Sequence, residues 1–367
     1  MLDVCEQSPS YIRSIAPYQP GKPISDLARE MGMAEAHIVK LASNENPLGP
    51  SPVASGAIAA QLPELARYPD GNCFDLKQAL CAFHRVQPEQ VVLGSGSNDV
   101  LELVARAFLS VGASSVYSQH AFVVYPLATQ AGGATGIEVP ARDFGHDLEA
   151  MAAAVRADTR VLWIANPNNP TGTAATPDQV RALLQRVPPR VIVVVDEAYY
   201  EYLPDALRAD TFRWLEDHPN LVVTRTFSKA YGLAGLRVGF GVMHPEVADL
   251  LNRVRLPFNV NSLAQAAAQA ALSDQAFVAR SRELNDRGMR QLTEGFAQLG
   301  LDHIRSVGNF VSVRVGAAPA VYQRLLKQGV IVRPLGAYGM PEHLRVSIGT
   351  ESENAKFLNA LRTALHA

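Results

Sequence analysis

The sequence contains few of the residues that build disulfide-bonded or zinc-binding proteins. Among its 367 residues it has only three cysteines, Cys5, Cys73 and Cys81, and no two of them form a C-x-x-C pair. An odd number of cysteines argues against a disulfide framework, and the missing C-x-x-C spacing argues against a zinc site. We therefore expect no metal ion and a reducing, cytoplasmic environment.

Long apolar runs and an excess of one charge are missing as well. No stretch approaches the roughly 18 apolar residues of a membrane-spanning helix, and no basic segment leads into an apolar run at the N-terminus. The formal net charge is −2, which gives no general attraction for nucleic acid or an anionic membrane. These absences predict a soluble protein with neither a nucleic-acid partner nor a membrane partner.

Two common catalytic motifs are absent, and lysine is scarce. None of the nine histidines lies in H-E-x-x-H and no serine lies in G-x-S-x-G, so neither a zinc peptidase nor an α/β-hydrolase is indicated. Only six residues are lysine, and five of them lie in polar or helical surface patterns. The exception is Lys229, which follows a strand candidate among small and apolar residues. A lysine becomes nucleophilic when burial or nearby cations lower its pKa, and Arg225 and Arg237 are the nearby cations here.

Between about residues 91 and 241, short apolar runs alternate with turns and helical patterns. Runs of this kind predict strands that are buried on both faces, and apolar spacing over residues 99–109 predicts an intervening helix. The alternation predicts an α/β fold with a large, mostly parallel sheet covered by helices. The strand candidates are 91–93, 161–165, 191–195, 221–223 and 236–240.

A second, smaller α+β unit is predicted near the C-terminus. A helix over residues 262–272 looks like a domain connector, and a further helix lies near 320–328. The later strand candidates are 310–315, 330–333 and 344–348. The expected domains are an arm with part of the small domain (1–45), a large cofactor-binding domain (46–255) and a small C-terminal domain (256–367).

Polar residues follow two of the buried strand candidates. Asp196 ends the run over 191–195, and Asn169 lies in a turn rich in Asn and Pro after the run over 161–165. Ligands of α/β folds bind at the carboxyl ends of parallel strands, where Asp196 can hold a cationic ring nitrogen and Asn169 can bind a ligand oxygen. A helix cap for Asp196 and an ordinary turn for Asn169 are the simpler alternatives.

A glycine-rich loop over residues 94–99 leads from the first strand candidate into the predicted helix. Backbone N–H groups at a helix start, left accessible by glycine, bind phosphate. The loop differs from the dinucleotide motif G-x-G-x-x-G because Asp99 replaces the third glycine. No Asp or Glu occurs between Glu102 and Glu138, where a ribose-binding acid is expected. The pattern therefore favours a smaller phosphate ligand over a dinucleotide.

Pyridoxal 5′-phosphate (PLP) uses a lysine, a ring-nitrogen acid and a phosphate cradle together. The chain resembles the fold-type-I PLP-dependent aminotransferases and, within them, the histidinol-phosphate aminotransferase family. The resemblance extends from the N-terminal arm to the predicted strand at 344–348, so it covers nearly the whole chain. The motifs that carry it are Ser43-Asn44-Glu45-Asn46-Pro47, Arg67-Tyr68-Pro69, Asn169-Pro170-Thr171-Gly172, Asp196-Glu197-Ala198-Tyr199, Thr226-Phe227-Ser228-Lys229 and Leu344-Arg345-Val346-Ser347.

The resemblance implies a role for each matching residue. Lys229 would bind the cofactor covalently and carry a proton, Asp196 would hold the protonated ring nitrogen, and Tyr199 would join Asn169 at the ring 3-oxygen. Asn98 stands where the family often has Asp, a change that backbone contacts tolerate. The other implied cofactor contacts are stacking by Phe122, phosphate binding by Ser97, Asn98, Ser228 and Arg237, and a phosphate contact from a second subunit by Tyr68.

The resemblance also implies substrates and a homodimer with shared active sites. Arg345 would bind a substrate carboxylate through two hydrogen bonds, while Tyr18 and Arg333 would bind a substrate phosphate; Asn46 is a further substrate-binding candidate. The simpler alternative for Arg333 is a strand-end surface charge. The implied reaction is transamination between histidinol phosphate and 2-oxoglutarate in histidine biosynthesis. The alternatives are an aromatic-amino-acid aminotransferase, a threonine-phosphate decarboxylase, a nicotinamide dehydrogenase and a regulator that keeps PLP as a structural ligand.

Overall fold

The structure is a computed structural model that describes residues 2–17 and 19–366. None of the helices within these ranges is both long and apolar enough to cross a membrane. The described strands are β1 (Val39–Lys40), β2 (Val91–Gly94), β3 (Ser114–Ser118), β4 (Thr135–Val139), β5 (Thr159–Ala165), β6 (Ile192–Asp196), β7 (Leu221–Thr226), β8 (Gly239–Met243), β9 (His303–Ile304), β10 (Phe310–Arg314), β11 (Val330–Ile331), β12 (Arg333–Pro334) and β13 (His343–Ser347).

Helices cover the two larger sheets and connect their strands. They are α1 (Asp3–Glu6), α2 (Ser10–Arg13), α3 (Ile24–Met31), α4 (Pro52–Gln61), α5 (Phe74–His84), α6 (Ser97–Phe108), α7 (Val124–Ala131), α8 (Leu148–Ala153), α9 (Pro177–Arg186), α10 (Pro245–Val254), α11 (Ser262–Ser273), α12 (Gln275–Gln298), α13 (Ala318–Lys327) and α14 (Glu351–His366).

The largest sheet has seven strands in the order β2-β8-β7-β6-β5-β3-β4. All pairs from β7 to β4 are parallel, and only β8 runs antiparallel to its neighbours β7 and β2. This confirms the predicted α/β fold with a mostly parallel sheet. The carboxyl ends of β5, β6 and β7 lie side by side at one edge, so the residues that follow these strands meet there.

Strand side chains alternate between two apolar layers. On β5, Leu162 and Ile164 belong to the layer that includes α5, α9 and α11, whereas Val161 and Trp163 belong to the layer that includes α6, α7 and α10. All four side chains are fully buried. Burying one such side chain contributes roughly 1.5–3 kcal/mol, which explains why these strands are apolar throughout rather than alternating with polar residues.

The small unit is built on a four-stranded antiparallel sheet in the order β12-β13-β10-β9. Helices α12, α13 and α14 pack on it around a core that includes Leu325, Phe296 and Phe357. β1 pairs in parallel with β11, so the N-terminal segment joins this unit. This arrangement confirms the expected smaller α+β unit.

The domain limits expected from the sequence stay predictions, although the packing favours a later boundary. Helix α11 was expected in the small domain, but Ala264, Ala268 and Leu272 lie in the core of the large sheet. The 24-residue α12 then leads into the small unit. We propose that the small unit begins after α11 rather than at residue 256.

Candidate active site

A cavity of about 240 Å³ lies at the carboxyl edge of the large sheet, between that sheet, the N-terminal segment and the small unit. The predicted site residues that line it are Ser97, Asn98, Phe122, Asn169, Asp196, Tyr199, Ser228, Lys229, Arg237, Arg333 and Arg345. They come from seven separate stretches of the chain, which the fold brings together.

Lys229 follows β7 and lies in the cavity wall. Its Nζ donates a hydrogen bond to the backbone oxygen of Ser43 at 3.0 Å. Burial, together with the nearby positive charges of Arg345 and Arg237, lowers the pKa of Lys229 to about 7. A lysine with this pKa is a neutral nucleophile for a large fraction of the time at neutral pH.

Arg225 does not act on Lys229 as the sequence suggested. Because side chains alternate along β7, Arg225 points away from the face that carries Thr224 and Thr226. It is buried against Glu197, with Nε and Nη2 both 2.8 Å from Oε2. Its guanidinium also lies 3.5 Å from the ring centroid of Tyr200. The positive charge of Arg225 is therefore used in a structural ion pair, and Arg345 and Arg237 are the cations that influence the lysine.

Asp196, the last residue of β6, presents a buried carboxylate to the cavity. Oδ2 accepts a hydrogen bond from the Tyr125 hydroxyl at 3.0 Å, and Oδ1 accepts one from the Thr224 hydroxyl at 2.9 Å. Burial raises the pKa of Asp196, while these hydroxyls, the Ala198 N–H and the charge of Lys229 oppose that rise. The donors hold a negative charge in place without neutralising it.

Asn169 and Arg345 contact each other across the cavity. Nη1 of Arg345 donates to Oδ1 of Asn169 at 2.5 Å, and Nη2 donates to the backbone oxygen of Ala42 at 2.6 Å. Because the amide oxygen of Asn169 accepts from Arg345, the amide N–H groups are what Asn169 can offer to a ligand. Arg345 lies in β13, so this contact joins the small unit to the large sheet.

Tyr199 is held by Asn44. Nδ2 of Asn44 donates to the Tyr199 oxygen at 2.9 Å. The tyrosine hydrogen therefore remains as a donor towards the cavity. Burial raises the pKa of Tyr199 to about 12 in spite of Arg345 and Asn44, so the phenol is neutral at pH 7.

A cradle for an anion lies at the start of α6. Gly96 takes a φ of +83°, and no side chain within the described ranges caps the helix that begins at Ser97. Arg237 and Ser228 also line this part of the cavity and contact each other, with Nη1 of Arg237 3.2 Å from Oγ of Ser228. Gly239 passes so close that a β-carbon there would collide with the Ser97 nitrogen. Helix-start amides beside an arginine fit a phosphate group.

These features fit PLP as a cofactor. One cavity is lined by an amine with a lowered pKa, a buried carboxylate without a cation bonded to it, hydroxyl and amide donors, and a phosphate cradle. Phe122 lies in the same wall and offers a ring face for stacking. Each part of the cofactor thus has a chemically matched group in this structure.

Among the described residues, two predicted site residues do not line the cavity, Asn46 and Tyr68. Asn46 uses its amide on Ala230 and Ser281, at 2.9 and 2.8 Å, which argues against direct substrate contact. Tyr68 is 83% exposed and stacks on Phe258. Tyr18 lies outside the described residues.

Sequence reasoning missed several residues that position the site. Ser43 and Asn44 contact Lys229 and Tyr199, and Tyr125 contacts Asp196. Asn44 belongs to the same motif as Asn46, but the sequence alone did not tell which of the two asparagines faces the cavity. Tyr125 lies three residues after Phe122, and this closeness in sequence to a predicted site residue was the available signal.

Comparisons with known proteins agree with this geometry. The model of the family "Aminotransferase class I and II" matches residues 36–361. A histidinol-phosphate aminotransferase from Methylobacillus flagellatus is 62% identical over 365 residues, covering 100% of this chain and 99% of the relative. "Histidinol-phosphate aminotransferase 2" from Nitrosospira multiformis is 61% identical over 365 residues, covering 99% and 93% respectively.

A solved structure is also similar over nearly the whole chain. It is the histidinol-phosphate aminotransferase from Sinorhizobium meliloti in complex with pyridoxal-5′-phosphate, with a TM-score of 0.91, 29% identity and coverage of 98% of both chains. An aspartate aminotransferase from Thermus thermophilus with maleate shares the fold, with a TM-score of 0.82, 23% identity and coverage of 97% and 99%. The chain therefore belongs to the class I and II aminotransferases, within the histidinol-phosphate aminotransferase family.

Proposed function

We propose that the protein is a PLP-dependent aminotransferase that exchanges the amino group of histidinol phosphate for the carbonyl oxygen of 2-oxoglutarate. The products are imidazole-acetol phosphate and glutamate, and the reaction runs in both directions in histidine biosynthesis. The observation that carries the proposal is the placement of Lys229 and Asp196 in one cavity with a phosphate cradle and two further arginines.

When bound, PLP supplies an aldehyde that reacts with amines and a ring that withdraws electrons from the substrate carbon. Ser97, Asn98, Ser228 and Arg237 would hold its phosphate, and Phe122 would lie against its ring. Asp196 would accept the hydrogen bond of the ring N–H. These contacts fix the cofactor, so the reacting groups meet in one orientation.

Lys229 would bind the cofactor and later move a proton. With a pKa lowered to about 7, Nζ can accept a proton from the substrate carbon and return it to another atom without a large energy difference. The Ser43 carbonyl restrains Nζ at the cavity wall. Tyr199 and Asn169 would donate to the ring 3-oxygen, because their acceptor atoms already bind Asn44 and Arg345.

Two arginines support the choice of substrates. Arg345 offers a planar guanidinium to a carboxylate of glutamate or 2-oxoglutarate. Arg333 lines the same cavity, with Nη2 donating to the Gln19 oxygen at 2.7 Å, and it would bind the phosphate of histidinol phosphate. Tyr18 precedes this segment, and its proposed phosphate contact stays a prediction.

The proposal includes a homodimer. Exposed apolar side chains occur close in sequence to the stacked Tyr68 and Phe258, and burying them against a second copy would remove apolar surface from water. These side chains are Leu62 (52% exposed), Leu65 (55%), Phe74 (61%) and Leu256 (61%). A cytoplasmic location is also proposed, because Cys5, Cys73 and Cys81 are free thiols.

A panel of half-reactions tests the function. Protein loaded with PLP is mixed with histidinol phosphate, phenylalanine or threonine phosphate without an acceptor, and the visible absorbance is followed. We expect the fastest change with histidinol phosphate, and glutamate formation when 2-oxoglutarate is added. A preference for phenylalanine would instead identify an aromatic-amino-acid aminotransferase, and carbon dioxide release from threonine phosphate would identify the decarboxylase.

The role of Arg333 is tested by comparing histidinol phosphate with histidinol. Arg333→Gln should reduce kcat/KM for the phosphorylated substrate while leaving the activity with histidinol nearly unchanged. Equal losses with both substrates would contradict phosphate binding by Arg333.

A further inference from the structure

We infer that Tyr125 and Thr224 are positioning residues for Asp196, and that their hydroxyl groups keep its carboxylate negatively charged and oriented for the ring nitrogen of the cofactor. This inference rests on the proposed function, since it concerns how Asp196 prepares for PLP.

The two hydroxyls hold the carboxylate from opposite sides. Thr224 is the register partner of Asp196 on the neighbouring strand β7, and its hydroxyl donates to Oδ1 at 2.9 Å. Tyr125 lies on α7, and its hydroxyl donates to Oδ2 at 3.0 Å. Because each oxygen accepts one hydroxyl, rotation of the carboxylate about its Cβ–Cγ bond would break both bonds.

Tyr125 is itself fixed in the core. It is completely buried and stacks on Trp163, with ring centroids 5.4 Å apart and planes at 6°. Phe122, which lines the cavity, contacts Tyr125 edge-on at 5.9 Å. The segment that leads into α7 and its first turn therefore present one aromatic ring to the cavity and one hydroxyl to Asp196.

The chemistry of the donors explains why hydroxyl groups suit this position. A guanidinium in direct contact would neutralise Asp196 and compete with the cationic ring nitrogen, whereas a hydroxyl stabilises the charge and leaves it available. The ionisable groups that act on Asp196 besides Tyr125 are Lys229, which attracts it when protonated, the neutral phenol of Tyr199 and the neighbouring Glu197. Glu197 is already paired with Arg225 on the opposite face of the sheet. The hydroxyl pair is thus the direct support of this carboxylate among the described side chains.

The test uses full-length protein freed of PLP, with the variants Tyr125→Phe, Thr224→Val and both together. Each variant keeps the shape of the side chain and removes the hydroxyl. Tyr117→Phe is the matched control, because Tyr117 lies in the same apolar layer and is not bonded to Asp196. The dissociation constant of PLP is measured by equilibrium dialysis. The protonated carboxyl stretch is followed by infrared spectroscopy against pH, and Asp196→Asn identifies the band.

We expect Tyr125→Phe and Thr224→Val each to weaken PLP binding about ten-fold, with a larger loss in the double variant. The pH at which half of Asp196 is protonated should rise in the same order, and Tyr117→Phe should change neither quantity. Unchanged PLP affinity and an unchanged infrared midpoint in the double variant would overturn the inference, even if its thermal stability fell.

The two proposals can fail separately. If the unchanged protein did not bind PLP, the proposed function would be wrong, while the infrared midpoint, which needs no cofactor, would still decide whether the hydroxyls control Asp196. If the double variant bound PLP and transaminated like the unchanged protein, the function would stand and the inference would be wrong.

Discussion

The ε-amine of Lys229 donates a hydrogen bond to the backbone carbonyl oxygen of Ser43 at 3.0 Å. Ser43 follows β1, which pairs with the small unit, whereas Lys229 follows β7 of the large sheet. A carbonyl oxygen accepts from a neutral amine as well as from an ammonium group. The contact therefore holds Nζ at the cavity without requiring that Lys229 be charged. The neutral amine is the form that attacks an aldehyde.

Lys229→Ala should abolish transamination and covalent attachment of PLP, because no other described lysine lines the cavity. Borohydride reduction of the PLP-loaded protein, followed by peptide mass spectrometry, should leave a permanent adduct on the peptide that contains Lys229. Lys327→Ala, which changes an exposed lysine, should keep both the activity and the adduct. An adduct that formed normally in Lys229→Ala would contradict the assignment of the nucleophile.

The pH dependence of cofactor capture should follow the lowered pKa of Lys229. Since only the neutral amine reacts, the initial rate of PLP attachment should fall about ten-fold per pH unit below 7 and level off above it. Stopped-flow absorbance on protein freed of PLP measures this rate. A midpoint near the ordinary lysine value of 10.5 would contradict the effect of burial.

Arg345→Gln supplies a control for this pH profile. Burial is the main cause of the lowered pKa, and the positive charge of Arg345 is the next. Its removal should shift the midpoint to higher pH, whereas Arg333→Gln should leave it in place. Equal shifts in the two variants would show that the charge of Arg345 has no specific effect on Lys229.

The sequence predicted the apolar strands at the centre of the large sheet better than the polar strand β3 beside them. The β5, β6 and β7 strands were predicted because they are buried on both faces and therefore read as continuous apolar runs. β3, with the sequence Ser-Ser-Val-Tyr-Ser, was missed because its polar side chains find partners inside the fold: Ser114 bonds to Thr159 and Ser115 to Thr129. β8 begins at Gly239 rather than at 236, because residues 234–236 form a helical turn and Arg237 takes a φ of +57°.

The sequence likewise predicted some residues of the site and missed others. Residues with reactive or charged side chains, such as Lys229 and Asp196, were identifiable because each of them stands at or just after the end of a buried strand candidate. Their supporting groups, Ser43 and Tyr125, are more than 70 residues away along the chain, and their contacts depend on tertiary packing. The backbone oxygen of Ser43 carries no sequence signal at all. Motif spacing therefore predicts the reacting groups but not the contacts that orient them.

Arg225→Met should destabilise the fold by about 3–5 kcal/mol, because it leaves the buried carboxylate of Glu197 without its partner. Urea denaturation measures the change in the free energy of unfolding. The double variant with Glu197→Gln should lose less, since the unpaired charge is gone. Arg253→Met breaks an exposed ion pair with Asp249 and should cost less than about 1 kcal/mol. Equal losses in Arg225→Met and Arg253→Met would show that burial of the pair has no energetic consequence.

Gly239→Ala should weaken PLP binding more than ten-fold, because the added β-carbon would push against the backbone of Gly96 and Ser97, where the phosphate cradle begins. Gly235→Ala is the matched control: nothing lies within 4 Å of a β-carbon at that position, although Gly235 lies in the loop that leads from β7 to Gly239 at the start of β8. The dissociation constants of PLP and of pyridoxal, which lacks the phosphate, are compared in each variant. Since the cradle acts on the phosphate, Gly239→Ala should reduce the affinity for PLP and leave that for pyridoxal nearly unchanged. A parallel loss for both compounds would mean that the substitution disturbs the ring site or the fold, and that the start of α6 is not the phosphate site.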